Sequence, residues 1–341
     1  MQPLNARSHQ WVSLLLISSF LFWWHCSPKS TPPITVLQNG QWTELTSSDG
    51  SEPVERHEAA FVGVGDKFYL LGGRGMKPAS IYDTKTRRWT LGPVPPIELH
   101  HFQPVVYQND IYIMGAMTGP YPGEDPVPNI YIYRTATDTW DKGPAIPADR
   151  LRGGAGVAVN EDKFYLACGI ADGHRGDHKV WLDVYDARTG KWSQLPDAPR
   201  ARDHFQASMV DGKLYCLGGR TTIAADNPFK NTIGEVDVYD LQTQRWTTLD
   251  QPIPTKRAGS FNLPVGPEIL VFGGESFTQI PAHAEVEALN TKTEQWRRLP
   301  PMGRGRHGTG AVWHQRTIYT ASGCGNRGGE PELSDLWSFK Y

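Results

Sequence analysis

A single tryptophan recurs at nearly constant spacing along most of this 341-residue chain. Consecutive copies lie 47, 51, 52, 54 and 50 positions apart, at Trp42, Trp89, Trp140, Trp192, Trp246 and Trp296. A period of roughly 20–50 residues is typical of proteins that repeat one supersecondary unit many times. The spacing therefore predicts one repeated unit per tryptophan rather than two unrelated domains.

Two further features recur in register with these tryptophans. An apolar residue stands seven positions before each of the last five, at Tyr82, Tyr133, Tyr185, Tyr239 and Leu289. Each unit also contains a diglycine or its remnant, at Gly72-Gly73, Gly115-Ala116, Cys168-Gly169, Gly218-Gly219, Gly273-Gly274 and Ser322-Gly323. Pairs of β-forming residues such as Phe68-Tyr69 precede these glycines. Each unit therefore predicts four short strands: an inner strand such as residues 59–64, a second ending at the diglycine, a third at the tyrosine, and an outer strand carrying the tryptophan.

In these motifs the chain resembles the kelch-repeat family, and the resemblance covers residues 40–341. It implies an all-β fold, a six-bladed kelch β-propeller with one four-stranded sheet per blade. Trp337 stands where a third-strand tyrosine belongs, and the sequence stops four residues later. The residues around Trp42 match the outer strands, so we expect this N-terminal strand to complete the last blade. Such closure removes exposed sheet edges.

The composition agrees with a fold rich in strands and turns. The chain contains 35 glycines, 27 prolines, 12 tryptophans and 13 tyrosines, which favours many turns between aromatic-rich strands over a helical bundle. Its 34 lysines and arginines against 36 aspartates and glutamates leave a net charge of −2. A nearly neutral chain has no overall field that attracts nucleic acid, so no nucleic-acid partner is expected.

The N-terminal residues 1–25 are predicted to be a signal peptide or a membrane anchor. Residues 11–24 are apolar apart from three serines, and this run is shorter than the roughly 20 residues of a membrane span. Cys26 follows at the position of a bacterial lipoprotein's acceptor cysteine, although Trp23, Trp24 and His25 replace the small residues usual there. A cleaved signal, a lipid anchor and an uncleaved anchor all stay open.

Residues 26–38 are interpreted as a polar tether and residues 39–341 as the propeller. This organisation predicts an exported protein, located in the periplasm, in the cell envelope or outside the cell. Contact with a membrane is expected only through the N-terminal segment.

Three cysteines follow the tether, Cys168, Cys216 and Cys324. They are widely separated and form no CxxC motif of a metal or redox site. We expect them to be buried free thiols packed in strands, because unpaired cysteine is among the most buried residue types.

A basic residue recurs just before the inner strands. Seventeen positions before the second residue of each diglycine stand Arg56, Leu99, Arg152, Arg202, Arg257 and Arg306. Histidines follow closely at His57, His100, His101, His204 and His307. Arginine offers a fixed fork of donors for carboxylates and phosphates, and histidine exchanges protons near neutral pH. The pattern predicts a basic ring around the propeller axis that binds an anionic ligand.

The same arginines and histidines also allow a purely structural interpretation. They belong to the kelch consensus, in which they tie one blade's loop to the next, and repeats retain such scaffolding contacts. Their charge would then be balanced within the protein by Glu58, Glu98, Asp203 and Glu275.

The loops between the second and third strands differ in length among the units. From diglycine to third strand they span 9, 17, 16, 20, 15 and 14 residues. Five long loops and one short one predict a walled pocket with an open side, and loops on a rigid scaffold commonly carry binding residues. The loop residues expected near the ring are Arg74, Asp172, His174, Arg220, Glu275, Asn326 and Arg327.

Residues 172–178 contain two carboxylates and two imidazoles, which are acceptable metal ligands. Their spacing matches no fixed ligand motif, and we interpret them as a solvent-exposed loop. The Glu-x3-Asp-x3-His iron motif of plant nitrile-specifier propellers is absent, and so are GxSxG, P-loop and HExxH patterns. We therefore predict no metal site and no cofactor.

Two functions fit these expectations. The first is a binding module whose ligand is a small polar or anionic, carbohydrate-like molecule or a protein. The second is an enzyme, a sugar mutarotase or epimerase resembling the bacterial sialic acid mutarotases, which are exported kelch propellers of similar size. Mutarotation requires an acid and a base, for which Glu275 and His204 are the candidate catalytic residues. The candidate ligand-binding residues are Arg56, His57, Arg74, His101, Arg152, Arg202, Arg220, Arg257, Arg306, His307 and Arg327.

Overall fold

A computed structural model describes residues 40–221 and 223–340 of the chain. The predicted signal peptide or anchor and the tether lie outside the described residues. The described part contains strands and two short 3-10 helices, Ala148–Arg150 and Gly173–Arg175. No helix within it is long and apolar enough to cross a membrane.

The strands form six four-stranded antiparallel sheets, the blades. The first strand is β1 (Trp42–Glu44). Blade 1 consists of β2 (Ala59–Val64), β3 (Lys67–Gly72), β4 (Ser80–Asp83) and β5 (Arg88–Leu91). Blade 2 consists of β6 (Pro104–Tyr107), β7 (Asp110–Ile113), a two-stranded insertion of β8 (Met117–Thr118) and β9 (Asp125–Pro126), β10 (Asn129–Arg134) and β11 (Thr139–Ala145). Blade 3 consists of β12 (Gly156–Asn160), β13 (Lys163–Ala167), the insertion β14 (Ile170–Asp172) and β15 (Gly176–His178), β16 (Leu182–Asp186) and β17 (Lys191–Leu195).

The remaining blades follow the same order. Blade 4 consists of β18 (Gln206–Val210), β19 (Lys213–Leu217), β20 (Asp237–Asp240) and β21 (Arg245–Thr248). Blade 5 consists of β22 (Phe261–Val265), β23 (Glu268–Phe272), β24 (Val286–Asn290) and β25 (Gln295–Leu299). Blade 6 consists of β26 (Ala311–His314), β27 (Thr317–Ala321) and β28 (Leu336–Lys340), with β1 as its outer strand. The predicted six-bladed propeller is confirmed.

The N-terminal strand closes the last blade, as the frame of the repeat predicted. β1 pairs antiparallel with β28, with Trp42 opposite Phe339 and Glu44 opposite Trp337. The Trp42 indole is buried, and its Nε1 donates to the carbonyl of Pro300 at 3.1 Å. The first and last described strands therefore share one sheet, which closes blade 6.

The periodic tryptophan holds neighbouring blades together at the rim. In blades 1 to 4 it stands opposite the predicted third-strand tyrosine, with ring centroids 5.0–5.2 Å apart. Its indole N–H also reaches the preceding blade: Trp140 donates to Pro93, Trp192 to Ala145, Trp246 to Pro196 and Trp296 to Gln251. One residue thus packs within its own blade and donates a hydrogen bond to the preceding blade, which explains its recurrence.

The second residue of the diglycine joins blades nearer the axis. Its N–H donates to a carbonyl of the following blade at 2.8–3.0 Å, and the acceptors are Leu99 for Gly73, Arg202 for Gly169, Arg257 for Gly219, Arg306 for Gly274 and Arg56 for Gly323. At Gly274 the backbone has φ +107°, and a Cβ would lie 2.8 Å from the Ala258 carbonyl oxygen. Glycine is required there by both backbone conformation and space.

A ring of main-chain hydrogen bonds closes the propeller on its axis. It is formed by the residue two positions after each repeat arginine or its equivalent, and we call this set the axial ring: Glu58, His101, Gly154, His204, Gly259 and Gly308. Each N–H from His101 to Gly308 donates to the carbonyl of the preceding member at 2.7–3.1 Å, and Ala59 N–H completes the circle by donating to Gly308. The axial ring fixes six loops relative to one another on one face of the propeller.

The three propeller cysteines are buried and free, as expected. Cys216 lies in β19, whereas Cys168 and Cys324 lie outside the strands. Burial raises the pKa of the Cys168 thiol to about 11, so this thiol is protonated and unreactive at neutral pH.

We predict that Gly274→Ala lowers the thermal unfolding midpoint more than Gly190→Ala does. Both glycines have positive φ, but a Cβ at Gly190 would meet nothing within 4 Å. The Gly190 change should cost only the strain of the left-handed backbone, about 1–2 kcal/mol, while Gly274→Ala adds a clash with a carbonyl between strands. Differential scanning calorimetry compares the two, and equal losses would contradict the role given to the diglycine.

Candidate functional site

The five repeat arginines lie inside the blades rather than at an open surface. All five side chains are completely buried or nearly so: Arg56, Arg152, Arg202, Arg257 and Arg306. Each donates to a second-strand carbonyl or its diglycine, the acceptors in the same order being Gly72, Leu166, Gly218, Val271 and Ser322. The structure therefore differs from the predicted ligand-facing arginine ring, because these guanidinium donors bind their own blade's main chain.

Four of these arginines also meet a buried or half-buried carboxylate. The pairs are Arg152 with Asp183, Arg202 with Asp237, Arg257 with Glu287 and Arg306 with Asp335, at 2.5–2.7 Å. Arg56 has carbonyl partners instead, and burial lowers its pKa to about 10. This placement favours the structural interpretation. Each arginine binds its own blade through its side chain, and the main-chain carbonyls of Arg56, Arg202, Arg257 and Arg306 also accept from the preceding blade.

The loops on the axial-ring face enclose a cavity of about 450 Å³. Five of its lining residues were predicted for ligand binding or catalysis: His57, Arg74, His101, Arg220 and Glu275. His174, Glu58, Tyr121 and Phe229 line it as well. A second space of about 40 Å³ on the axis shares Glu58 and His101 with this cavity and is lined by all six members of the axial ring.

The axial ring places three side chains on the axis in a strained conformation. All six members have φ between +50° and +63°, which suits Gly154, Gly259 and Gly308. The other three members are Glu58, His101 and His204. A non-glycine residue in this region costs about 1–2 kcal/mol, and such strain is concentrated at functional sites. Three blades thus retain a polar side chain where the other three use glycine.

A first charged group in the cavity is centred on Glu124, in the β8–β9 insertion of blade 2. Its carboxylate accepts from Arg74 Nη2 at 2.5 Å and contacts His174 Nδ1 at 2.9 Å. Burial alone would raise the pKa of Glu124, but the contacts with His174 and Arg74 outweigh it and hold the pKa well below its usual range. This buried carboxylate therefore positions one arginine and one histidine at the cavity wall.

A second charged group is centred on Glu275. Its Oε1 accepts from Arg220 Nη1 at 2.8 Å, and its Oε2 accepts from the Gly328 N–H at 2.8 Å. His307 Nε2 lies 3.5 Å from the same Oε2, and His307 Nδ1 lies 3.6 Å from Glu58 Oε1. Burial lowers the pKa of His307, but Glu275, Cys324 and Glu58 together outweigh this effect and raise it to about 10. His307 is thus an imidazolium held between two carboxylates.

Glu58 is the second of these carboxylates. Burial raises its pKa, but the surrounding positive charges, of which that of His307 acts most strongly, outweigh this and lower the pKa to about 2. The cavity therefore contains fixed positive and negative groups side by side rather than the single basic ring predicted from the sequence.

Three histidines from different blades converge where the cavity meets the axis. Their ring centroids are 4.6–5.2 Å apart and their planes cross at 70–72°, and the residues are His101, His174 and His204. Burial lowers the pKa of both His101 and His204. One potential ligand nitrogen from each ring lies within 4.8 Å of the other two. This cluster was not predicted.

The expectation that residues 172–178 form a solvent-exposed loop is wrong for His174. Asp172, Arg175 and Asp177 are exposed, but the His174 side chain is buried against Glu124 and His204. The repeat pattern in the sequence did not indicate Glu124, because this residue lies in the β8–β9 insertion, which is not part of the repeated motif.

Of the other predicted residues, His57 lines the cavity, whereas Asn326 and Arg327 do not. His57 Nδ1 contacts Glu332 at 2.7 Å. The Arg327 guanidinium lies over the rings of Phe229 and Phe277, 5.3 and 5.8 Å from their centroids. The Asn326 carbonyl lies 2.8 Å from His307 Nε2. Of the two candidate catalytic residues, Glu275 lines the large cavity and His204 lines the small axial space.

Comparisons with known proteins agree with this architecture. A family model described as the KLHDC2/KLHL20/DRC7 Kelch-repeats domain matches residues 34–219 and 154–341. Kelch-like protein terF of Aspergillus terreus is 29% identical over 310 residues, which cover 83% of this chain and 64% of that protein. The N-(sulfonatooxy)prop-2-enimidothioate sulfolyase of Thlaspi arvense is 26% identical over 332 residues, covering 83% of this chain and 90% of that protein.

One solved structure extends the comparison to the fold. The structure of YjhT superimposes with a TM-score of 0.70 at 15% sequence identity, and the match covers 84% of this chain and 95% of that one. At this identity the match supports the shared propeller architecture alone.

We predict that Arg257→Met strongly destabilises the protein. The change leaves the Glu287 carboxylate, also completely buried, without its buried cationic partner, and only the exposed Arg298, 4.0 Å away, stays close. Breaking a buried ion pair typically costs about 3–5 kcal/mol. Arg245→Met, on the exposed outer strand of blade 4, should change stability by no more than about 0.5 kcal/mol. Thermal and chemical unfolding measure both variants. An Arg257→Met protein of wild-type stability would contradict the fastening role.

Proposed function

Because the chain belongs to the kelch-repeat family, we propose that its propeller is a binding module for a small polar ligand with an anionic group, held in the loop-face cavity. The observation that carries this proposal is the pairing of Arg74 and Arg220 with buried carboxylates at the cavity wall. A volume of about 450 Å³ lies within the roughly 300–1,000 Å³ of small-molecule sites. A protein partner is the alternative occupant.

The position of Arg220 favours a ligand that carries an anionic group. Its guanidinium borders the cavity, where Glu275 Oε1 accepts from its Nη1 at 2.8 Å and holds the cation beside the space that a ligand would occupy. A ligand carboxylate or sulfate suits this role, because arginine binds such groups through two parallel hydrogen bonds.

Arg74 provides a second contact from across the cavity. Its side chain is 24% exposed, whereas its partner Glu124 is completely buried. The carboxylate therefore orients the guanidinium while part of it stays accessible to a ligand. Arg74 and Arg220 differ in this respect from the five repeat arginines, which do not line the cavity.

Aromatic side chains supply the apolar part of the site. Tyr121, which is about half exposed, and Phe229, whose ring contacts the guanidinium groups of Arg220 and Arg327, line the cavity. Small-molecule sites combine such apolar walls with a few oriented polar groups. A carbohydrate-like ligand, with polar edges and an acidic substituent, fits this mixture.

The relatives support the class of ligand. The Thlaspi arvense protein is named as a sulfolyase for a small molecule that carries a sulfonatooxy group, and its alignment covers most of this chain. The chain spans less than two thirds of the Aspergillus terreus protein, whose name specifies no ligand.

An enzymatic function is the second candidate, favoured by the position of Glu275. This carboxylate lines the cavity beside Arg220, so a base and an anion anchor would face the same ligand. A mutarotase or epimerase acting on an acidic sugar requires such a pair. His204, the other predicted catalytic group, contacts Asp203 at 2.6 Å and lines the axial space.

The test uses sialic acid, glucuronate, glucose 6-sulfate and glucose as probes. We expect saturation-transfer NMR to detect binding of at least one acidic probe and weaker binding of glucose. Arg74→Gln and Arg220→Gln should each weaken that binding about tenfold or more, since a hydrogen bond to a charged group contributes about 1.5–3 kcal/mol. Arg245→Gln, on an outer strand, is the matched control and should bind like the wild type.

The outcomes separate the candidate functions. Binding that both cavity variants leave unchanged, or no binding of any acidic probe, would refute the proposed ligand site and favour a protein partner. Accelerated exchange between the anomers, lost in Glu275→Gln, would establish the enzymatic candidate.

We also propose that the protein is exported, a proposal that rests on residues 1–38 of the sequence. Mass spectrometry of the protein from a cell-envelope fraction should show an N-terminus near Cys26, with a lipid on this residue if it is a lipoprotein. Cys26→Ser should then release the protein from the membrane fraction. A cytoplasmic protein with an intact N-terminus would contradict the proposal.

A further inference from the structure

We propose that His101, His174 and His204 bind one divalent transition-metal ion where the cavity meets the propeller axis. The three rings come from blades 2, 3 and 4, and their planes cross at 70–72° with centroids 4.6–5.2 Å apart. Each ring offers a nitrogen within 4.8 Å of the other two. The proposal rests on this geometry and is independent of the ligand proposed above.

The hydrogen bonds of His174 and His204 determine which of their nitrogens carries the proton. His174 Nδ1 lies 2.9 Å from a Glu124 oxygen, and His204 Nδ1 lies 2.6 Å from an Asp203 oxygen. An ionised carboxylate only accepts, so both Nδ1 atoms donate and both neutral rings keep a lone pair on Nε2. The two Nε2 atoms are 3.1 Å apart. Two lone pairs cannot form a hydrogen bond, whereas a cation between them accepts both.

The same argument applies to His101 through a neighbouring histidine. His100 Nε2 lies 3.2 Å from the Gly119 carbonyl oxygen and therefore donates to it. His100 Nδ1 is then an acceptor, and it lies 2.6 Å from His101 Nδ1. His101 consequently donates from Nδ1 and keeps its lone pair on Nε2. All three histidines present the nitrogen form that metal ions bind, each held by an outer partner as in known metal sites.

The local structure shows that this convergence does not follow from the repeat. His101 and His204 occupy axial-ring positions with φ +52° and +50°, where three other blades have glycine. His174 arrives from the separate insertion of blade 3 and is held by the insertion of blade 2 through Glu124. Two strained residues and one buried loop residue meet at a single point, as a binding site requires.

The ligand set indicates the class of metal. Three imidazole nitrogens suit zinc, cobalt, nickel, copper or ferrous iron, and they do not suit magnesium or calcium, which prefer oxygen. In a tetrahedral zinc site with Zn–N bonds of about 2.0–2.1 Å, neighbouring nitrogens are separated by a distance close to that between His174 and His204. Glu58 Oε2, 3.6 Å from His101 Nε2, is the adjacent carboxylate. Since His101 and His174 line the cavity, a metal ion would enter the site from this cavity.

The test titrates Co²⁺ into the full-length chain, prepared without a histidine tag and stripped with a chelator. We expect one Co²⁺ per chain, with the intense visible absorption of a four- or five-coordinate site, and displacement of Co²⁺ by Zn²⁺. His174→Ala and His204→Ala should each weaken Co²⁺ binding at least 100-fold. A wild-type chain that shows no saturable binding at one equivalent would overturn the proposal and would indicate that a shared proton joins the two rings.

Two further variants separate metal ligation from general structural damage. His283→Ala removes an equally buried histidine that contacts Ser276 and Glu285, and it should leave Co²⁺ binding unchanged. Glu124→Gln removes the negative charge that pairs with His174 and Arg74, and it should weaken binding about 10–100-fold while keeping the three imidazoles. Near-ultraviolet circular dichroism checks that each variant is folded, and His174→Gln replaces the alanine variant if that one is not. Wild-type affinity in the folded His174 and His204 variants would overturn the assignment.

This result is distinguishable from a failure of the proposed ligand site. Binding of the acidic probes is measured on chelator-treated protein and depends on Arg74 and Arg220, neither of which contributes an imidazole. Loss of Co²⁺ binding with retained sugar-acid binding would refute the metal site alone.

Discussion

The axial ring of main-chain hydrogen bonds is the constraint on which both the fold and the site depend. It links each blade to the next through one N–H and one carbonyl, and it requires a left-handed backbone at six positions. Glycine meets this requirement without strain in three blades. In the other three, Glu58, His101 and His204 are held with their side chains at the axis. The interaction that closes the propeller therefore also assembles its polar centre.

Burial separates two kinds of arginine in this protein. The repeat arginines donate to carbonyls within their own blade, and four of the five also meet a buried or half-buried carboxylate, so these side chains hold strands and loops together. Arg74 and Arg220 belong instead to the variable loops, outside the repeat position. Glu124 and Glu275 hold them at the cavity wall, where Arg74 is partly exposed. Arginines at the repeat position therefore stabilise the blades of this protein, whereas Arg74 and Arg220, which lie outside the repeat position, line the cavity.

Charged groups in the cavity are connected rather than isolated. A row of four side chains with alternating charge runs from the cavity wall to the axial ring: Arg220, Glu275, His307 and Glu58. Each buried charge has an opposite neighbour, which offsets part of the cost of removing it from water. The cluster of His101, His174 and His204 lies beside this row, since Glu58 is close to His101. A bound ion or anionic ligand would therefore lie beside side chains of the axial ring, whose main chain also joins the blades.

The sequence by itself determined the six blades, the closing strand at Trp42 and the pairing of tyrosine with tryptophan. These features repeat because each blade contacts mainly its neighbours, so one local pattern of turns and aromatic residues describes every junction. Only the tertiary structure decided which arginines face the cavity and that His174 is buried beside His101 and His204. Those residues come from different blades and from loops without a repeat. Their meeting depends on the lengths and paths of several loops together, which no single segment of the sequence encodes.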